Sequence, residues 1–202
     1  MQVGAVQARQ AFFQRGGLLA GTFQAGLHGD GLHAIFNVDV DQRSLRAGGT
    51  RRGESGEVPL DFTAIDFETA NSSSASACAV GLARVREGRV VATAGWLIQP
   101  PPGHDRFFEL NIGIHGIRPD DVATAPTWVD QLDALTAFVG DDVLVAHNAG
   151  FDMGVFRRAC EATDAACPPY RYACSVQVAR RTYDLPSYRL PLVAAAAGFL
   201  DF

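Results

Sequence analysis

The chain contains no lysine; all 17 of its basic residues are arginine. With abundant Ala, Gly and Pro, this fits codon bias in a GC-rich genome better than any physical demand. Long apolar runs are also missing. The six-residue run 192–197 is among the longest, far short of the roughly 20 residues that cross a bilayer as a helix. The N-terminus lacks the basic-then-apolar order of a secretory signal. Together these absences give no membrane partner to expect and make the cytoplasm the expected compartment. The four cysteines, Cys78, Cys160, Cys167 and Cys174, include no C-x-x-C pair. Buried, reduced thiols are therefore expected in place of a zinc site or a disulfide.

Positive charge is scarce where a nucleic-acid coat would need it. Residues 58–202 hold eleven Arg against seventeen acids, whereas residues 1–57 hold six Arg against five. Neutralising many phosphates requires clustered cations, so the larger segment is not built to wrap a duplex. If it handles nucleic acid, it should grip a short end locally, with metal ions supplying positive charge.

The two segments also differ in pattern. Residues 1–57 carry repeated Gly, show no sustained period of 2 or 3.6, and end in the Gly/Arg-rich run 47–57. They are expected to be an extension or linker of weak order, in which residues 32–40 are the one candidate strand. A further expectation is that 1–57 is upstream sequence read as protein: Arg51-Arg52-Gly53-Glu54 suits a purine-rich ribosome-binding codon run, and Val58 stands where a GTG start would fall. From Leu60 the signals sharpen. The pattern predicts a strand over 61–68, then a hairpin of 77–86 and 89–99 turning at Glu87-Gly88, and a loop over 100–106. A short helix starts at Pro119. A longer one covers 127–138, with Thr127 and Asp130 as a capping box and Leu132, Leu135 and Phe138 on one apolar face. A wholly apolar strand follows at 143–146, then helix 149–162, strand 170–175, helix 176–181 and a last helix over 190–197. Three strands followed by alternating helix and strand predict an α/β domain, a mixed β-sheet flanked by helices, over residues 58–202.

Two clusters carry chemistry. In Ile65-Asp66-Phe67-Glu68-Thr69, residues two apart on a strand share a face, so Asp66 and Glu68 project together while Phe67 turns to the core. Two carboxylates about 4 Å apart repel by about 4 kcal/mol at an effective dielectric near 20. A divalent cation removes that penalty, and hard oxygen donors suit Mg²⁺ or Mn²⁺. The alternative is an exposed edge with two solvated acids. In His147-Asn148-Ala149-Gly150-Phe151-Asp152, a buried strand runs into a helix, with Asp152 in its first turn. Open α/β sheets place ligands at the C-terminal ends of their strands, so Asp152 can meet Asp66 and Glu68 if the two strands are neighbours. The alternatives are a helix-start acid favoured by the dipole for Asp152 and, for His147, a core histidine bonded to a backbone carbonyl.

D-F-E-T at 66–69 and H-N-A-G-F-D-M-G-V-F at 147–156 resemble the first and second exonuclease motifs of the DnaQ-like (DEDDh) 3′–5′ exonucleases, the family of the proofreading epsilon subunit of bacterial DNA polymerase III. Ile114-His115-Gly116-Ile117, followed by Asp120-Asp121-Val122, is similar to the H-G-I segment between those motifs. The resemblance runs from about Leu60 to the C-terminus. It implies a ribonuclease-H-like fold and hydrolysis of nucleic-acid 3′ ends, releasing nucleoside 5′-monophosphates. It implies two divalent cations, Mg²⁺ or Mn²⁺, with Asp66 bridging them, Glu68 on the ion at the nucleophile side, and Asp152 holding the second. Thr69, His115, Gly116, Ile117, His147, Asn148 and Phe151 would contact substrate. The expected partner is a single-stranded 3′ end, with a DNA polymerase as a candidate companion.

One departure stands out. The family's third motif is a histidine followed five residues later by an aspartate, on a helix beyond Asp152. Here the histidines are His28, His33, His104, His115 and His147, and none follows Asp152. After Leu185–Pro191, similar to the lead-in of that motif, the sequence ends at Phe202. The expectation is a C-terminally truncated exonuclease domain of impaired activity. The alternatives are a non-catalytic module that binds metal or a nucleic-acid end, and an RNA-trimming enzyme of the same superfamily.

Overall fold

The computed structural model describes residues 61–198. The expected extension at 1–57, its candidate strand and the proposed start at Val58 lie outside these residues. The strands are β1 (Phe62–Thr69), β2 (Ala77–Arg86), β3 (Arg89–Leu97), β4 (Leu144–Ala146) and β5 (Tyr172–Cys174). They form one mixed sheet in the order β3-β2-β1-β4-β5. β1 pairs antiparallel with β2 and parallel with β4, and β4 pairs parallel with β5. The helices are α1 (Glu109–His115), α2 (Pro119–Val122), α3 (Trp128–Val139), α4 (Ala149–Ala162), α5 (Ser175–Thr182) and α6 (Leu190–Ala196). None of the described helices is long and apolar enough to cross a membrane.

β1 alternates as its sequence predicts. Ile65 and Phe67 are buried in the main core cluster, while Ala64, Asp66 and Glu68 share the other, half-buried face. On the core side Phe67 meets Trp128 of α3 and Phe156 of α4, with ring centroids 5.9 and 6.5 Å away. Leu135 is buried in the same cluster, and Leu132 and Phe138 pack against it, so the apolar face of α3 is as expected. Its Thr127–Asp130 capping box also forms. On α4, Val155 and Ala159 face the core, but Phe151, four residues before Val155, stays 44% exposed. The β2–β3 turn places Glu87 at φ 51° and Gly88 at φ 73°, the doubly left-handed backbone that matches strand twist in a two-residue hairpin.

Several bounds differ from expectation by one or two residues, those of β1 for visible reasons. β1 begins at Phe62 because the Asp61 carboxylate accepts the Glu87 N–H (2.8 Å) and closes the hairpin turn. It continues to Thr69 because Thr69 pairs with Ala77 beyond a register shift. Helix α1 was not anticipated: Leu110 and Ile114 are exposed, so its seven residues carry little apolar period. Of the cysteines, Cys78 and Cys160 are buried and Cys174 is half-buried, but Cys167 is exposed; all four are free thiols.

Candidate functional site

The site lies where β1 outruns its neighbour. The parallel pairing of β1 with β4 is registered at Thr63↔Leu144 and Ala64↔Val145, and β4 ends at Ala146. Thr63 donates its N–H to Val143, so by alternation the Phe67 N–H points to the same side, past the end of β4. A buried N–H without a partner is costly. Asp152 supplies one: its Oδ1 accepts the Phe67 N–H at 3.1 Å. The first turn of α4 is thereby fixed to the backbone between Asp66 and Glu68. Asn148, in the left-handed conformation at φ 75°, makes the bend from β4 into α4.

Asp66, Glu68 and Asp152 are close enough to repel one another. Burial pushes Asp66 up to about 6. Glu68 rises to about 8 through burial, then the Asp66 charge, then that of Asp152. Asp152 rises to about 7 through burial and Asp66, against the opposing pull of the Phe67 N–H. Neither ion pair among the described residues involves these acids; the pairs are Arg86–Asp142 and Arg158–Glu161. Three crowded carboxylates without a protein cation form a donor set suited in charge and hardness to a divalent ion. Among the described residues, no three His, Cys, Asp or Glu side chains stand as a group that could hold a metal ion unaided. Mg²⁺ does not require one, since it commonly binds through one or two carboxylates, with water and substrate phosphate completing its shell.

The residues expected to contact substrate divide in two. Thr69, His115, Gly116 and Ile117 form a bracket at the end of β1. His115 Nε2 donates to the Thr69 carbonyl (3.1 Å), and its Nδ1 accepts the Ile117 N–H (3.0 Å). Burial holds the imidazole below its usual range, in the neutral form these bonds require. Gly116 takes φ 76° as the C-cap of α1 and donates to the Ile112 carbonyl, a conformation that disfavours any side chain. Sequence reasoning missed Asn111, which donates to the Thr69 carbonyl at 2.9 Å. Its signal was the four-residue spacing to His115, which puts both on one helical face. It also missed Asn71, whose Nδ2 donates to the His104 and Arg106 carbonyls and anchors the loop leading into α1.

His147, Asn148 and Phe151 lie at the start of α4. Both nitrogens of His147 have protein partners: Nε2 donates to the Tyr188 carbonyl and Nδ1 accepts from Ser175 Oγ, each at 2.8 Å. The ring ties β4 to α5 and to the chain before α6, and burial lowers its pKa. Phe151 is the exposed aromatic on this flank.

Comparisons with known proteins bear on the family and the fold. Residues 63–200 match the RNase T model, whose description is exonuclease. A protein of Mycobacterium tuberculosis named as a bifunctional exonuclease/endonuclease is 32% identical over 148 residues, covering 66% of this chain and 22% of that protein. The PolC-type DNA polymerase III of Oceanobacillus iheyensis is 31% identical over 105 residues, covering 51% of this chain and 7% of the polymerase. The chain thus spans under a quarter of the length of either. The nuclease domain of 3′hExo, a DEDDh family member solved with rAMP, superposes with a TM-score of 0.59 at 15% identity, covering 70% of this chain and 84% of that one; at that identity the likeness concerns the fold. A five-stranded mixed sheet with its acids at the end of β1, and a family match across nearly all the described residues, place this chain in the DnaQ-like 3′–5′ exonuclease family of phosphodiester hydrolases.

Proposed function

We propose that the chain removes nucleotides one at a time from single-stranded nucleic-acid 3′ ends, preferentially DNA, with two divalent ions, Mg²⁺ or Mn²⁺, at Asp66, Glu68 and Asp152. The observation that carries this is Asp152 of α4 bonded to the Phe67 N–H, between Asp66 and Glu68 of β1, with all three carboxyls raised and neither ion pair of the described residues involving them. The Asp66 charge raises both Glu68 and Asp152, so Asp66 would be the shared ligand, with Glu68 and Asp152 taking one ion each. Bound there, the ions would supply an activated water and charge stabilisation for the departing 3′-oxygen. The protein's own contribution is positioning. The Phe67 N–H holds Asp152 in place, and Asn111 and His115 fix the Thr69 backbone beside Glu68. Phe151, exposed beside Asp152, offers a face on which a terminal base stacks.

No histidine follows Asp152 in these 202 residues, and both nitrogens of His147 are engaged by protein atoms. A positioned general base contributes ~10²–10⁴-fold. The 202-residue chain is accordingly proposed to turn over slowly. The test is a 5′-labelled single-stranded oligonucleotide incubated with Mn²⁺. Slow, Mn²⁺-dependent shortening from the 3′ end with release of 5′-monophosphates supports the reading, and a matched RNA strand reports the substrate preference. Rapid turnover overturns the impairment, and internal cleavage overturns the 3′-end assignment. Partnership with a polymerase rests on the PolC-type relatives and is tested by co-purification. The cytoplasm is the proposed compartment, in keeping with four free thiols.

A further inference from the structure

Charge is unevenly spread over the described fold. Residues 61–164 hold seven Arg and fifteen acids, whereas residues 165–198 hold four Arg and only Asp184 as an acid. Three of those arginines, Arg180, Arg181 and Arg189, are exposed on α5 and at the N-cap of α6. This segment adjoins the catalytic edge. Ala146 pairs with Cys174, and Ser175, the first residue of α5, bonds His147 at the end of β4. Tyr188 joins the two parts: its carbonyl accepts from His147, its hydroxyl donates to the Tyr183 carbonyl at 2.9 Å, and its ring lies 5.6 Å from the Arg180 guanidinium carbon. A guanidinium stacked on an aromatic ring loses freedom while its edge N–H groups stay outward, the geometry that suits phosphate. The ion pairs of the described residues are Arg86–Asp142 and Arg158–Glu161, so neither Arg180 nor Arg189 is paired with a carboxylate among the described residues.

We propose that Arg180 and Arg189 form a phosphate track that holds the backbone of the single strand upstream of the scissile linkage. Arg180 is a positioning residue, braced on Tyr188 and through it on His147. The track answers a need of the domain: a surface with an excess of acids grips a polyanion only where cations are gathered. This inference rests on the proposed action on single-stranded 3′ ends.

The test measures binding of a fluorescent single-stranded deoxyoligonucleotide across a salt series, with Ca²⁺ in place of Mn²⁺. Each phosphate contact contributes about −0.7 to the slope of log K against log salt for a single strand. Arg180→Ala with Arg189→Ala is expected to flatten that slope by about 1.4 and to weaken binding. Arg180→Lys is expected to keep the slope, and Arg158→Ala, paired with Glu161, to leave it unchanged. Hydrolysis of a p-nitrophenyl ester of thymidine 5′-monophosphate, which has no upstream phosphates, should be equal in wild type and double variant. An unchanged slope in a double variant with wild-type circular dichroism overturns the track, as does an equal loss in Arg158→Ala or a chain that does not bind the strand. A flattened slope in a chain that releases no mononucleotides would keep the track and overturn the proposed activity instead.

Discussion

The two ends of the central strands treat their acids in opposite ways. At the start of β4, Asp142 accepts from Arg86 through both carboxylate oxygens at 2.9 Å and from Thr63 Oγ1 at 2.6 Å. At the far end of β1, Asp66, Glu68 and Asp152 crowd together, with backbone N–H groups donated to Asp152, and all three carboxyls are driven upward. One end neutralises its charge from within the chain. The other leaves the charge to be met from outside. Buried acids normally arrive with a partner, so the uncompensated trio at the C-terminal edge of the sheet supports the proposed site, while the compensated acid at the opposite edge serves the scaffold.

The sharpest way to break this comparison is to remove Asp66. Asp66→Asn is expected to lower Mn²⁺ affinity, read by calorimetry, by more than the roughly 10–100-fold that loss of a mere supporting group costs; Asp142→Asn should leave it unchanged. Next in size is an opposition of sign in stability. Asp142→Asn removes charged hydrogen bonds to Arg86 and Thr63 and should destabilise the chain by about 1–3 kcal/mol in urea. Glu68→Gln, measured without metal near pH 8, should stabilise it, because the amide has no charge to be repelled. Asn111→Ala should cost the least, about 1 kcal/mol, read in the same urea titration. If the two carboxylate substitutions shift stability in the same direction, the contrast between the ends is wrong.

How far the site was legible depended on how local its causes are. The paired projection of Asp66 and Glu68 follows from strand alternation alone, and the first-turn position of Asp152 from the helix that starts at Ala149. The bond from Phe67 to Asp152 was not readable. It depends on β4 ending while β1 continues, a fact of parallel register. Helix α1 escaped notice because its exposed face carries Leu110 and Ile114. Its polar side, Asn111 and His115, is explained chiefly by Thr69, some forty residues earlier. His147 shows the same limit: its partners, Ser175 and Tyr188, follow 28 and 41 residues later. The hairpin and the capped helix α3 were legible because turn and cap chemistry is contained within a few residues.

The central claim, that the end of β1 lacks a counter-charge and takes a divalent cation, is tested most directly by the pH dependence of the unfolding midpoint with and without Mn²⁺. A carboxyl whose pKa rises on folding binds its proton more tightly in the native state, so its stabilisation is complete at low pH and is lost as pH climbs through the folded value. With Asp152 near 7 and Glu68 near 8, the metal-free midpoint should fall between about pH 6.5 and about pH 8, a range in which the buried, neutral histidines add little. Mn²⁺ at the upper end should restore it in wild type and not in Asp66→Asn. A midpoint flat across that range and indifferent to Mn²⁺ would contradict the account.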